Sequence, residues 1–308
     1  MMSKIVIVGS ANIDLVVKTS SLPIKGETVL GGEFSMFCGG KGANQAVAAA
    51  RFGADVCFIG KVGSDVFGAN VLDNFNKIGM NTDHIMINHR CQTGIALITV
   101  DDNGDNSIVV APGANRTLDI TDIDEARDVF DHASLILMQL EVPLQTLEHV
   151  LHIANAKEIP VILNPAPATV SLPSTILTGL YLITPNETEA TIISGVQIND
   201  INDARQAAIK IHEMGVKHVV ITLGNKGAVF YDGVNFVTIP PIKVSAVDTT
   251  AAGDTFNGVL VAALAEGWDL SEALIISNTA AAISVTRLGA QNASPFRDEI
   301  LSFKDELC

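Results

Sequence analysis

Asp254 closes the tetrapeptide "AAGD", Ala251 to Asp254, directly ahead of the apolar run "VLVAALAEG", which reads as a helix. Small residues in succession let backbone N–H groups point into one concavity, and the positive end of the following helix adds to their field. An anion can be held there without a lysine. Gly253 permits close approach, and the same positive end favours an ionised Asp254, able to take a proton from a substrate hydroxyl beside the anion. An aspartate in a first helical turn is also an ordinary stabilising placement. These four residues alone leave both readings open.

Other segments carry polar groups at comparable points. "FCGGKGANQAVAAARFGA" sets Lys41 and Asn44 ahead of an alanine-rich helix, where both can donate to a polyhydroxylated ligand; a plain glycine-rich turn would look the same. "GSANIDL" puts Asn12 and Asp14 just past a first strand, the place where ligands gather in open α/β sheets, although such residues also serve their own turns. "MQLE" ends a strand with Glu141, and "ITPNETEA" ends another with Asn186, Glu187 and Glu189. Carboxylates there can orient hydroxyls or hold the water shell of Mg²⁺, or simply cap a helix. Neither GxxxxGK[ST] nor a GxGxxG after the first strand is present, so any nucleotide must be held another way. His149 and His152 read as helix surface. Cys38, Cys57, Cys91 and Cys308 show no CxxC spacing, which argues against zinc and for small apolar filling.

The elements that must position these groups are legible from periodicity. The 308 residues are 48% hydrophobic and 17% charged, as expected of a folded globular chain. "KIVIVG", "VCFIG", "LILMQL", "PVILN", "YLITPN" and "HVVITLG" read as strands, alternating with helical segments such as "GANQAVAAARFG", 67–78, "PLQTLEHVLHIANAKE" and 203–214. That alternation predicts a mostly parallel sheet covered on both faces. Two regions, about 15–37 and 94–110, carry turn signals between short β-like runs and predict a small antiparallel sheet inserted into this body. No repeat or linker divides the chain, so a single domain over 1–308 is expected. A net charge of −15 argues against nucleic acid as a partner. The apolar runs are too short to span a membrane, the N-terminus reads as a strand and not a leader, and cytoplasmic residence is the expectation.

Taken together, "GGKGANQAVAAARFGA" and "DTTAAGDTFNG" resemble the two signature motifs of the ribokinase family of sugar and nucleoside kinases. "GSANIDL", "MQLE", "NPAP", "TPNETE", "ITLGNKG" and "TRLGAQ" follow in the family's order from end to end. The resemblance implies a ribokinase-like three-layer α/β/α sandwich with a small β-sheet lid from about 15–37 and 94–110, and a homodimer joined through that lid. It implies ATP-dependent phosphorylation of D-ribose at the 5-hydroxyl; the alternatives are another free sugar (deoxyribose, fructose), a nucleoside, or a non-catalytic sugar-binding regulator.

The same resemblance assigns residues. Asp254 would be the base, with the backbone of Ala251, Ala252 and Gly253 as anion hole. Asn12, Asp14, Gly40, Lys41, Gly42, Ala43, Asn44 and Glu141 would hold the sugar. Asn186, Thr222, Gly224, Gly227, Gly253 and Asn278 would line the ATP site, and Glu189 would organise Mg²⁺ through water. A monovalent cation, K⁺, would lie by Asp248, Thr250, Ser284, Arg287, Gly289 and Ala293, several acting through carbonyls. Two positions depart from the pattern: Asn278 stands where some relatives carry histidine, and Ala293 replaces a common serine.

Overall fold

The structure, a computed structural model, describes residues 4–168 and 172–307. In chain order the elements are β1 (Lys4–Val8), β2 (Asn12–Lys18), β3 (Phe34–Gly39), α1 (Lys41–Phe52), β4 (Asp55–Gly63), α2 (Val66–Ile78), β5 (Ile85–Asn88), β6 (Gly94–Val100), β7 (Asn106–Ala111), α3 (Ile120–Glu125), β8 (Ala133–Gln139) and α4 (Leu144–Ala156). The second half contributes β9 (Val161–Asn164), α5 (Ser174–Leu177), β10 (Leu182–Ile183), α6 (Glu187–Ser194), α7 (Ile201–Glu213), β11 (His218–Thr222), β12 (Ala228–Tyr231), β13 (Phe236–Ile239), α8 (Ala252–Ala265), α9 (Leu270–Ser284) and α10 (Arg297–Leu307).

Among the described residues nine strands form one sheet in the order β13-β12-β11-β10-β9-β8-β1-β4-β5. β5 to β11 run parallel, and β12 and β13 return antiparallel at one edge. The unbroken apolar runs follow from burial on both faces. In β1, Ile5 and Ile7 enter a core with α1, α8 and α9, whereas Val6 and Val8 enter the opposite core with α4 and α7. Leu135 and Leu137 of β8 divide from Ile136 and Met138 in the same way. No helix among the described residues is long and apolar enough to cross a membrane.

A second sheet holds four strands, β3-β2-β6-β7. It is mixed and not the purely antiparallel sheet expected: β3 pairs antiparallel with β2 and β7 antiparallel with β6, but the inner strands β2 and β6 run parallel. The two hairpins both leave the main body in the same direction, so their inner strands cannot oppose one another. β2 also starts earlier than expected, at Asn12, because only Gly9 to Ala11 separate it from β1. "NIDL" is therefore itself strand.

Helices α1 and α8 lie side by side with their first turns at the carboxyl ends of the central strands. Their approach is set by small residues: a Cβ on Gly258 would stand 2.4 Å from the Gln45 carbonyl oxygen and 2.6 Å from the Ala48 methyl. Gly258→Ala is therefore expected to destabilise by about 1–3 kcal/mol through overpacking. Denaturant titration should show a lower midpoint at unchanged slope; an unchanged midpoint would mean that the helices are free to part.

Candidate active site

The turn before α8 stays at the surface. Ala251 adopts φ 58°, left-handed for a residue with a side chain, a conformation that costs of order 1–2 kcal/mol. It bends the chain so that the α8 entrance faces outward. Gly253 is exposed, and a Cβ there would meet nothing within 4 Å. One assigned donor needs correction: the Ala252 N–H already donates to the Thr249 carbonyl, at 3.3 Å. Among the described residues the N–H groups of Ala251, Gly253 and Asp254 have no acceptor, so the available donors continue into Asp254 itself.

Beside this turn Asp254 is buried, with both carboxylate oxygens held by amides. Asn44 Nδ2 donates to Oδ2 and Gln45 Nε2 to Oδ1, each at 2.9 Å. Burial raises the Asp254 pKa, while Lys41, Asn44 and Gln45 pull it down. The buried Asn44 Oδ1 has no hydrogen-bond partner among the described residues, an acceptor that a ligand hydroxyl would satisfy. Glu141 accepts from the Ser10 hydroxyl at 2.5 Å and from the Lys41 backbone N–H at 3.1 Å. Asn12 Oδ1 accepts from Asn115 Nδ2 at 2.7 Å.

Lys41 sits among these acids: burial would lower its pKa, but Asp254, Glu141, Glu189 and Asp14 together raise it. Gly42 and Ala43 also hold α1 against the end of β1. A Cβ on Gly42 would lie 2.7 Å from the Gly9 backbone, and the Ala43 N–H is consumed by the Ser10 carbonyl at 2.8 Å. Gly40, at φ 90°, makes the turn that lets α1 begin against Asn12.

The expected nucleotide residues lie along the neighbouring strand ends. Asn186, after β10, and Thr222, ending β11, face each other across an isolated parallel bridge. Asn186 and Glu189 also form a reciprocal cap on α6, with Oδ1 accepting the Glu189 N–H at 2.8 Å and Glu189 Oε2 accepting the Asn186 N–H at 2.9 Å. Glu189 Oε1 is left without a protein partner among the described residues. Burial raises the Glu189 pKa, its own cap and Lys41 lower it, and Asp254 raises it further. Gly224 and Gly227 shape the turn into β12, and Asn278 of α9 donates to the Pro240 carbonyl at 3.0 Å.

The expected cation residues are drawn together by Asp248. Its carboxylate accepts the Thr250 N–H and the Gly289 N–H, both at 2.9 Å, and its own N–H donates to the Val285 carbonyl. The carbonyls of Asp248, Thr250, Arg287, Gly289 and Ala293 accept no hydrogen bond among the described residues, whereas that of Ser284 is taken by the Arg287 N–H at 3.1 Å. Uncommitted carbonyls of this kind suit a weakly hydrated monovalent cation. The Arg287 side chain is not among these oxygens and pairs with Glu299.

A family model for pfkB family carbohydrate kinases matches residues 2–297. The chain belongs to this family. A "Ribokinase" of Haemophilus influenzae is 43% identical over 98% of this chain and 99% of its own length. A "Deoxyribokinase" of Salmonella typhi is 37% identical over 94% and 95%. The structure of an Arabidopsis thaliana ribokinase complexed with ribose and ATP superposes with a TM-score of 0.92 at 30% identity, covering 98% and 99% of the two chains. The superposition covers the α/β sandwich and the small sheet alike.

Sequence reasoning passed over several residues of this kinase site: Ser10 on Glu141, Asn115 on Asn12, and Gln45 behind Asp254. Gln45 was open to detection, since a glutamine buried in a helix of alanines and valines needs polar partners. Ser10 and Asn115 find their partners only through the sheet-to-sheet crossing at Gly9 to Ala11.

Asp14 yields a signed expectation. Burial first, then the Glu141 and Asp254 charges, opposed by Lys41, together push its carboxyl from 3.8 up to about 7. A carboxyl whose folded pKa lies above its unfolded value binds protons more tightly in the fold, so stability is lost as pH rises from about 4 to about 7. Asp14→Asn should escape this loss, by about 2–4 kcal/mol at the upper end. In ligand-free melts its advantage over wild type should grow across that window and level off above it; a constant difference would refute the account.

Proposed function

We propose that this pfkB carbohydrate kinase is an ATP-dependent ribokinase, which transfers the γ-phosphoryl group to the 5-hydroxyl of D-ribose and releases ribose 5-phosphate and ADP. The observation that carries the reading is the meeting, at one helix entrance, of a buried amide-held carboxylate with free backbone N–H groups. Acceptor oxygen and transferring phosphoryl group are needed at such a point together.

Phosphoryl transfer asks mainly for positioning and charge stabilisation. Asp254 aims the hydroxyl in line and takes its proton; a carboxylate is too weak to ionise an alcohol beforehand, so the proton moves late, as the oxygen–phosphorus bond forms. Such assistance contributes roughly 10²–10⁴-fold. The N–H groups of Gly253 and Asp254, with the positive end of α8, receive the charge that grows on the phosphoryl oxygens. Asn12, Asp14, Asn44 and Glu141 orient the sugar hydroxyls, and Asn186, Thr222 and Asn278 border the nucleotide.

No group of three or more acidic, histidine or cysteine side chains among the described residues could hold a metal ion alone. This suits Mg²⁺, which keeps its waters and binds largely to phosphates; Glu189, with Oε1 free, would hold it through water, and the ion would neutralise phosphate charge. K⁺ would rest on the carbonyls around Asp248 and stiffen the loop that leads into the anion site. The small sheet acts as a lid that excludes water, a competing nucleophile. Free Cys38, Cys57 and Cys91 accord with a cytoplasmic enzyme.

Ribose is favoured over a phosphorylated sugar because Asp14, Glu141 and Asp254 would repel a second phosphate. Among these acceptors, coupled ADP release should be greatest with ribose over deoxyribose, fructose and the nucleoside adenosine, and stimulated by potassium. Asp254→Asn should lower kcat by about 10²–10⁴-fold while ribose binding by calorimetry persists. Wild-type turnover in that variant, or no ADP release with any acceptor, would overturn the reading, the latter in favour of a sugar-binding regulator.

The lid also supports a homodimer. Phe34, Met36, Leu97, Ile108, Val109 and Val110 are 45–63% exposed on this one sheet, more apolar surface than a solitary sheet ordinarily leaves open. Leu97 and Ile108 lie on opposite faces of it by register. Light scattering should give a dimer for wild type and a monomer for the Leu97→Asp, Ile108→Asp double variant; a monomeric wild type would end the proposal.

A further inference from the structure

Behind Asp254 runs a chain of buried side-chain amides. Gln45, with no exposed surface, donates both Nε2 hydrogens, one to Asp254 Oδ1 at 2.9 Å and one to Asn164 Oδ1 at 3.0 Å. Its Oε1 accepts from Gln139 Nε2 at 2.6 Å. Asn164 then donates to the Thr184 carbonyl at 3.0 Å, the Thr184 hydroxyl donates to Asn257 Oδ1 at 2.6 Å, and Asn257 Nδ2 donates to the Gly253 carbonyl at 2.8 Å. One end of the chain is the carboxylate and the other is the turn whose Gly253 and Asp254 N–H groups find no acceptor among the described residues.

The direction of every bond is fixed. An ionised carboxylate only accepts, so Gln45 must present its NH₂ to Asp254; its oxygen must then face Gln139, and Asn164 must offer an oxygen. A leucine or methionine would fill the space of Gln45 without needing partners, whereas every polar hydrogen and oxygen of the Gln45 amide is paired here and only Gln139 Oε1, at the far end, lacks a partner among the described residues. The network is therefore more than filling.

We propose that Gln45 is a positioning residue of the phosphoryl transfer: its amide sets the orientation of the Asp254 carboxylate and, through Asn164, Thr184 and Asn257, ties that orientation to the turn at Gly253. The inference rests on Asp254 as the base. Around that carboxylate stand the charged groups Asp14 of β2, Lys41 of α1, Glu141 after β8 and Glu189 of α6.

The test compares purified full-length wild type, Gln45→Met, Gln45→Glu and Asp254→Asn in ribose-dependent ADP release. Gln45→Met should lower kcat on the order of 10²-fold, the size expected when a reacting group is misaimed, with KM for ATP and ribose within about twofold of wild type, since Gln45 touches neither. Gln45→Glu can supply a donor only while its carboxyl is protonated, so its turnover should fall as pH rises where that of wild type does not, a dependence that plain loss of packing would not produce. A folded Gln45→Met with wild-type kcat beside an inactive Asp254→Asn would overturn this inference alone. Wild-type kcat in Asp254→Asn would overturn the base assignment beneath it. Should Gln45→Met fail to fold, the near-isosteric Gln45→Glu decides, and a pH-independent wild-type rate in it sinks the proposal.

Discussion

The site depends on two helix entrances being pressed together. α1 and α8 run parallel, and the contact of Asn44 with Asp254 brings their first turns to one point while Gly258 lets the backbones close below it. Parallel helix dipoles repel, and both positive ends here face the same small volume. Carboxylates relieve this. Glu141 accepts the Lys41 N–H at the head of α1, and Asp254 lies in the first turn of α8. At α8 the relief is incomplete, because the Gly253 and Asp254 N–H groups find no protein acceptor among the described residues. An anion such as a phosphate completes it.

That geometry explains an otherwise unfavourable charge arrangement. Glu141 raises the pKa of both Asp14 and Asp254, and Asp254 raises that of Asp14, with Lys41 as the opposing counter-charge. A fold selected only for stability would gain by replacing one of them with an apolar side chain. A polyol gives them hydroxyl donors without adding charge, and the orphaned Asn44 Oδ1 is a further acceptor of the same kind. The carboxylates thus favour a neutral sugar on one side of Asp254 while the α8 entrance favours phosphate on the other.

Much of this was readable before any coordinates. Runs such as "KIVIV" and "LILMQ" announce strands buried on both faces, and "AAGD" and "GGKGAN" mark the two helix entrances because small residues and glycine turns have few other uses there. The parallel pairing of β2 with β6 was not readable, since it depends on the direction in which two distant hairpins leave the body. Nor was the donation of the Ala252 N–H to Thr249, a choice made within one turn by the left-handed Ala251. Gln45 was visible as an anomaly, but its partners come from β8, β9 and α8, and no spacing in the chain encodes that meeting.

Charge is also used in the loop between α9 and α10. Arg51, from the end of α1, donates to the carbonyls of Gln291 at 2.7 Å and Ser294 at 2.5 Å, with Asn292 at 3.4 Å, and its guanidinium lies over the Phe296 ring. The carbonyl it passes over is that of Ala293, which has no donor among the described residues. A permanent cation therefore holds the loop from one side, where a fixed geometry is wanted. The Ala293 carbonyl is thereby left unpaired among the described residues, as are those of Asp248 and Thr250 in the loop that runs into Ala251. A small non-directional cation with no hydrogens of its own could be shared among such oxygens, whereas a lysine or arginine would bind them through directed N–H groups. The alanine at 293 is no obstacle to this, because the atom offered is backbone.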